Sequence, residues 1–275
     1  ISTQTALSSL YENFPHAARR KRKIRYQKTE RMRATALILS VYQTSHRVRG
    51  SEAAKKFGVP GAMAAAETSM IARDIALSLD TGARVLFQHV SSGQSAALIR
   101  AGKALGAKIY AEVTPHHLSL TEDDVPAHGT CARMNPPLRR EADRQALIEA
   151  LGTIDMIATD HAPHTAEEKA RDFAKAPSGI TGLETAFSVC NTYLVKTGRL
   201  TSMQLLEKMS KNPAEVYGLT GRAVREGNYA RLVLLDWDSE KIYSEYKSKG
   251  INTPYTGEKL TGSPRAIVTG EKITE

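Results

Sequence analysis

The chain has little cysteine: Cys131 and Cys190 are its only two in 275 residues, and they stand far apart. That excludes a disulfide framework and a zinc-ribbon spacing, and a reduced, cytoplasmic setting is the expectation. No apolar run approaches the roughly 20 residues needed to cross a bilayer. Nor does the start carry an apolar stretch followed by a small-residue cleavage site, so no secretory signal is expected. The first residue is Ile rather than Met, from which we expect an incomplete or processed chain. Glycine is missing before Gly50 and proline occurs there once, at Pro15, so the punctuation of short strand–helix units is absent from that stretch. No internal repeat or low-complexity tract is apparent.

What is present can bury a core: 41% of the residues are hydrophobic. The net charge of +9 is unevenly placed. Residues 1–50 hold 11 Lys+Arg against 2 Asp+Glu, and residues 51–275 hold 27 of each sign. The run Arg19-Arg20-Lys21-Arg22-Lys23 reads as a solvated basic arm in preference to a nucleic-acid site. A helix is expected over roughly Thr29 to Tyr42, where Met32, Ala36, Leu37 and Leu39 fall near one face.

From Ser51 onward the pattern alternates. Helices are expected over Ala62 to Leu79, Ser95 to Leu105, Glu141 to Leu151, Leu183 to Lys196 and Ser202 to Met209. Apolar strands are expected over Arg84 to Val90, Lys108 to Val113 and Ile154 to Thr159. Repeated strand–helix units with apolar strands imply parallel strands covered by helices, hence an α/β barrel or an open doubly wound sheet. Farther on, Arg231 to Trp237 and Arg265 to Thr269 are strand-like without an intervening helix, the sign of a small β-subdomain. The expected organisation is a basic segment 1–50 that does not read as barrel (an arm, a fusion or an out-of-frame stretch), the barrel part 51–220 and a β-subdomain 221–275.

Each of the three parallel strands ends in groups that can do chemistry. His89 closes the first, Thr114-Pro115-His116-His117 the second and Asp160-His161-Ala162-Pro163-His164 the third. The carboxyl ends of barrel strands are where catalytic groups are displayed. Asp and neutral His suit Zn²⁺, which lowers the pKa of bound water, and an Asp beside it can carry the proton. The competing structural roles are a strand-end histidine bonded to backbone for His89 and a helix N-cap for Asp160. Adjacent His116 and His117 point to different sides, so structural roles are expected for them. Asn135-Pro136-Pro137-Leu138-Arg139 reads as a rigid loop able to hold the Asn135 amide toward a polar ligand.

Three blocks, Ala111 to Leu118, Met134 to Arg139 and Ala158 to His164, resemble consecutive blocks of the dihydroorotases, the bacterial class within the amidohydrolases. Gln88-His89-Val90-Ser91, Gly179 to Thr185, Asn212-Pro213-Ala214 and Asn252-Thr253-Pro254-Tyr255 support the resemblance, which covers residues 51–275. It implies a partial (β/α)8 TIM-type metal-dependent hydrolase barrel with a small C-terminal β-subdomain. The implied reaction is reversible ring closure of N-carbamoyl-L-aspartate to dihydroorotate in pyrimidine synthesis. By the same resemblance His89 and Asp160 bind zinc, Asp160 also shuttles the proton, and Asn135, His164, Ser178 and Gly179 contact substrate. The family usually has Phe-Gly at 178–179, so Ser178 is a departure.

A second departure lies at the start. Family members carry a His-x-His motif, a bridging carboxylate and a further histidine on earlier strands. No His-x-His occurs here, and Thr35, Ala36 and Leu37 stand where the further histidine is expected. Two protein ligands fall short of a closed zinc site. The alternatives are therefore another cyclic amidohydrolase, such as allantoinase or dihydropyrimidinase, and a non-catalytic scaffold that partners aspartate carbamoyltransferase. Strand edges left open by missing barrel strands lead us to expect instability or pairing, as in a homo-oligomer.

Overall fold

The computed structural model describes residues 52–59, 61–219, 224–270 and 272–274. The basic segment 1–50 and its expected helix at 29–42 lie outside the described residues, as does the boundary expected at 220/221.

Three short strands form a parallel sheet in the order β1-β2-β3: Val85–Phe87, Ile109–Val113 and Met156–Ile157. Val85 pairs with Ile109 and Val113 with Ile157. All of β1 and β3 and most of β2 are buried, as parallel strands covered on both faces must be. The cover comes from helices α1 (Ala64–Thr81), α2 (Gly93–Ala104) and α3 (Glu141–Glu149). Ile71 and Ile75 of α1, Ala96 and Ile99 of α2, and Leu147 and Ile148 of α3 share one core with the strands. Gly82 ends α1 in the left-handed conformation, and Ser92 caps α2 by accepting from the Ser95 amide.

The strands are shorter than the apolar runs that announce them. The run ending at Val90 keeps strand geometry only to Phe87, because the backbone turns at His89 with φ 40°. Two helices also differ from expectation. The one expected over 183–196 is α-helical at Ala186–Cys190 (α4) and π-helical at Asn191–Val195. The one expected over 202–209 continues to Val216 through a π-helical turn at Glu207–Lys211. Pro213 has no N–H to give the Met209 carbonyl, and the wide turn before it accommodates that loss.

The remaining sheet is antiparallel, in the order β4-β5-β6: Arg231–Ile242, Lys259–Thr269 and Lys272–Thr274. A second buried cluster ties it to loops of the parallel part, through Tyr243, Tyr255 and Leu260 on one side and Met134, Leu138 and Ile180 on the other. Among the described residues, no helix is long and apolar enough to cross a membrane.

Candidate active site

Beyond β1 and β3 lies a cavity of about 490 Å³. Its lining includes His89 and Gln88 after β1, Glu112 of β2, Thr159 and Asp160 after β3, and Pro213 and Tyr217. The imidazole and carboxylate expected to act together therefore face one space. Among the described residues, His89 (φ 40°) and Asp160 (φ 48°) are the only non-glycine residues with positive φ. Such a conformation costs on the order of 1–3 kcal/mol and persists only where the surroundings enforce it. At His89 the enforcement is visible. The next three amides are all committed: Val90 N–H donates to the Glu112 carbonyl, and Ser91 and Ser92 N–H donate to the Glu67 carboxylate.

Neither structural role that competes with these assignments occurs. His89 Nδ1 is buried without a partner, so its ring is not bonded to backbone through that atom. Asp160 caps no helix: the next one starts at Ala166, capped by Thr165. His116 and His117 behave as expected of structural residues, since both are buried and neither lines the cavity. Burial pushes the His117 pKa down to about 4. Its Nε2–H donates to the Pro136 carbonyl at 3.0 Å and its Nδ1 accepts from the Thr114 hydroxyl at 2.7 Å. His116 has no partner on either ring nitrogen, and burial drives its pKa well below the usual histidine range, with His117 and His89 adding to the effect.

Two carboxylates escaped the sequence reading. Burial pushes the Glu112 pKa up to about 7, the nearby Asp160 charge adds to it, and the His89 backbone amide pulls the other way. A carboxyl that titrates near neutrality beside a second carboxylate and an imidazole can exchange protons with a bound molecule. The available signal was a glutamate inside an otherwise apolar parallel strand. Glu67, 2% exposed, sits in the first turn of α1 and also accepts from the Ser91 hydroxyl. Arg139 approaches it at 3.7 Å while donating to Ser91 Oγ and the Ala62 carbonyl. The turn at His89 and the loop carrying Asn135 are thus tied to one buried carboxylate.

The four expected substrate contacts do not line this cavity. His164, Ser178 and Gly179 do gather: His164 Nε2–H donates to the Ser178 carbonyl at 3.0 Å, and Gly179 N–H donates to the Arg133 carbonyl at 2.8 Å. Gly179 has φ 122°, and a Cβ there would stand 2.5 Å from that of Ala162. The Gly179–Arg133 bond brings in the segment that continues to Asn135, whose side chain is exposed. His164 Nδ1 lies 3.5 Å from Glu168 Oε2.

Zinc takes three or four protein ligands, at least one of them on His or Cys in most sites. His89, with its unpartnered buried nitrogen, and Asp160 are chemically suitable. Among the described residues, however, no three His, Cys, Asp or Glu side chains converge to hold a metal ion. The described residues do not make a zinc centre by themselves.

Comparison with known proteins places this geometry. The chain is 49% identical over 228 residues to a dihydroorotase of Clostridioides difficile, covering 82% of this chain and 54% of that one. It is 45% identical over 237 residues to a dihydroorotase of Clostridium acetobutylicum, covering 85% and 55%. The chain spans about half the length of these relatives. Among solved structures it is similar to an L-hydantoinase (dihydropyrimidinase) from Arthrobacter aurescens, with TM-score 0.69 and 29% identity over 75% of this chain and 48% of that one. A D-hydantoinase from Thermus sp. gives TM-score 0.70 and 28% identity over 77% and 49%. The fold is thus part of a TIM-type hydrolase barrel with a small antiparallel subdomain. Residues 15–270 match the Amidohydrolase family, a span that begins inside the basic segment, and the chain belongs to that family.

Proposed function

We propose that this chain is a dihydroorotase-like cyclic amidohydrolase, opening the dihydroorotate ring to N-carbamoyl-L-aspartate and closing it again. The observation that carries the reading is that His89 and Asp160, from separate strand ends, face one cavity in a chain 45–49% identical to dihydroorotases. In the opening direction, water adds to a ring amide carbon and the bond to nitrogen breaks. Asp160 accepts a water proton and returns it to the departing nitrogen. Asn135, His164 and the Ser178–Gly179 loop would hold the substrate's carboxylate and ring. Metal ions are general in this family. A zinc ion here would need donors beyond the described residues, in addition to His89 and Asp160. We place the protein in the cytoplasm, consistent with two free cysteines. We also keep the division at 50/51 and 220/221 as our reading of its organisation.

The test is an assay of the chain, supplied with zinc, on dihydroorotate, dihydrouracil, hydantoin and allantoin. We expect turnover of dihydroorotate, and a loss of at least about 100-fold in Asp160→Asn. Preferential turnover of another ring, or an unaffected Asp160→Asn, would sink the reading. The shortage of metal donors among the described residues favours a second reading, a non-catalytic scaffold for aspartate carbamoyltransferase or a homo-oligomer. No turnover of any ring, with co-elution of the transcarbamoylase, would decide for it.

A further inference from the structure

We infer that Asn252 is a positioning residue for substrate: its side chain sets the spacing between His164 and the Ser178–Gly179 loop. The inference rests on the proposal that those groups meet substrate. Asn252 comes from the loop joining β4 to β5, so the antiparallel subdomain reaches the joint between His164 and Gly179. It is 3% exposed, and both N–H donors and the oxygen of its amide are engaged. Oδ1 accepts from the His164 backbone N–H at 2.9 Å, and Nδ2 donates to the Ala162 and Gly179 carbonyls, each at 3.0 Å. Its own carbonyl accepts from Thr181 N–H at 3.0 Å.

The joint is closed to substitutes. The segments approach closely around the amide. A Cβ at Gly250 would lie 2.5 Å from the His164 carbonyl oxygen, and one at Gly179 would lie 2.5 Å from the Ala162 Cβ. An aspartate would keep the acceptor for His164 N–H but turn an anion toward two carbonyl oxygens. An apolar residue would orphan one buried donor and two carbonyls. The His164 ring already donates to the Ser178 carbonyl, so a shift at Asn252 moves both substrate-facing groups together. His89 and Asp160 have no bond to Asn252. The effect should therefore fall on substrate affinity and spare the chemical step.

The experiment compares the full chain with Asn252→Asp and Asn252→Ala, using dihydroorotate kinetics, ¹⁵N-histidine NMR and hydrogen exchange. We expect KM to rise about tenfold with kcat changed less than about threefold. The His164 Nε2–H resonance should lose its hydrogen-bonded shift, and exchange at the His164 amide should quicken at least about tenfold. An unchanged KM, or a kcat that falls with KM constant, would overturn the inference. If the wild type turns over no dihydroorotate, the functional reading fails separately. The His164 resonance and exchange then decide the role of Asn252, and their constancy in Asn252→Asp overturns it. Should both variants fail to fold, the wild-type Asn252 side-chain protons decide, and rapid exchange of those protons with solvent overturns the joint.

Discussion

The two sheets of this molecule use the same kind of residue in opposite ways. β1 (Val85-Leu86-Phe87) is buried throughout, whereas the longer β4 leaves Val233, Leu234 and Ile242 more than half exposed. The parallel strands are short because each needs only to carry the chain through the core and deliver a turn at its carboxyl end. The antiparallel sheet is long and open, and its connecting loop carries Asn252 to the backbone of His164. Burial on both faces makes a strand intolerant of change and its end a fixed platform. A half-exposed sheet supplies reach.

Substitutions can break that contrast. Phe87→Ala, at 1% exposure, should destabilise by about 3–5 kcal/mol in chemical denaturation. A loss under about 1 kcal/mol would mean that β1 is not the core strand described. Glu67→Ala should cost about 3–5 kcal/mol as well, because it leaves two buried amides without their acceptor and removes the carboxylate that Arg139 approaches. Exchange at the Ser91 and Ser92 amides should quicken with it. At the small end, Val233→Ala on the open sheet should stay within about 0.5 kcal/mol of wild type. A larger loss would show that this face is covered.

A pH series, run with chelator, sharpens the same comparison. Glu112 has a folded pKa near 7, above its ordinary value, so the folded state binds the extra proton and stability falls as pH rises from about 4.5 to 7. His117, near 4, has the opposite sign: its contribution is complete above about 6.5 and is lost as pH falls toward 4. The two oppose each other between about 4.5 and 6.5. Glu112→Gln should remove one and leave the other, adding acid lability of up to about 1.4 kcal/mol per pH unit. Equal slopes in both proteins would show that Glu112 titrates at its ordinary value.

Much of the parallel part was legible because its signals are local. An apolar run bounded by glycine announced each strand, and helical spacing announced α1, α2 and α3 to within a few residues. The boundaries were less legible. Nothing in residues 84–90 alone says that strand geometry stops at Phe87, since that depends on Glu67 and Glu112 holding the next three amides. The π-helical turns were hidden for a similar reason, because hydrophobic spacing does not separate i+4 from i+5 bonding. Glu67 was invisible as a buried anion. Its partners lie 24 and 25 residues away at Ser91 and Ser92, and farther still at Arg139.

The amino-acid order alone determined which residues stand at the strand ends, among them His89 and Asp160, because apolar runs and turn residues act over a few positions. Only the folded chain decided that these two share a cavity with Glu112, while His164 and Gly179 meet at a separate joint closed by Asn252. Those groupings are set by packing between segments up to 90 residues apart, where close fit and buried hydrogen bonds outweigh any local preference.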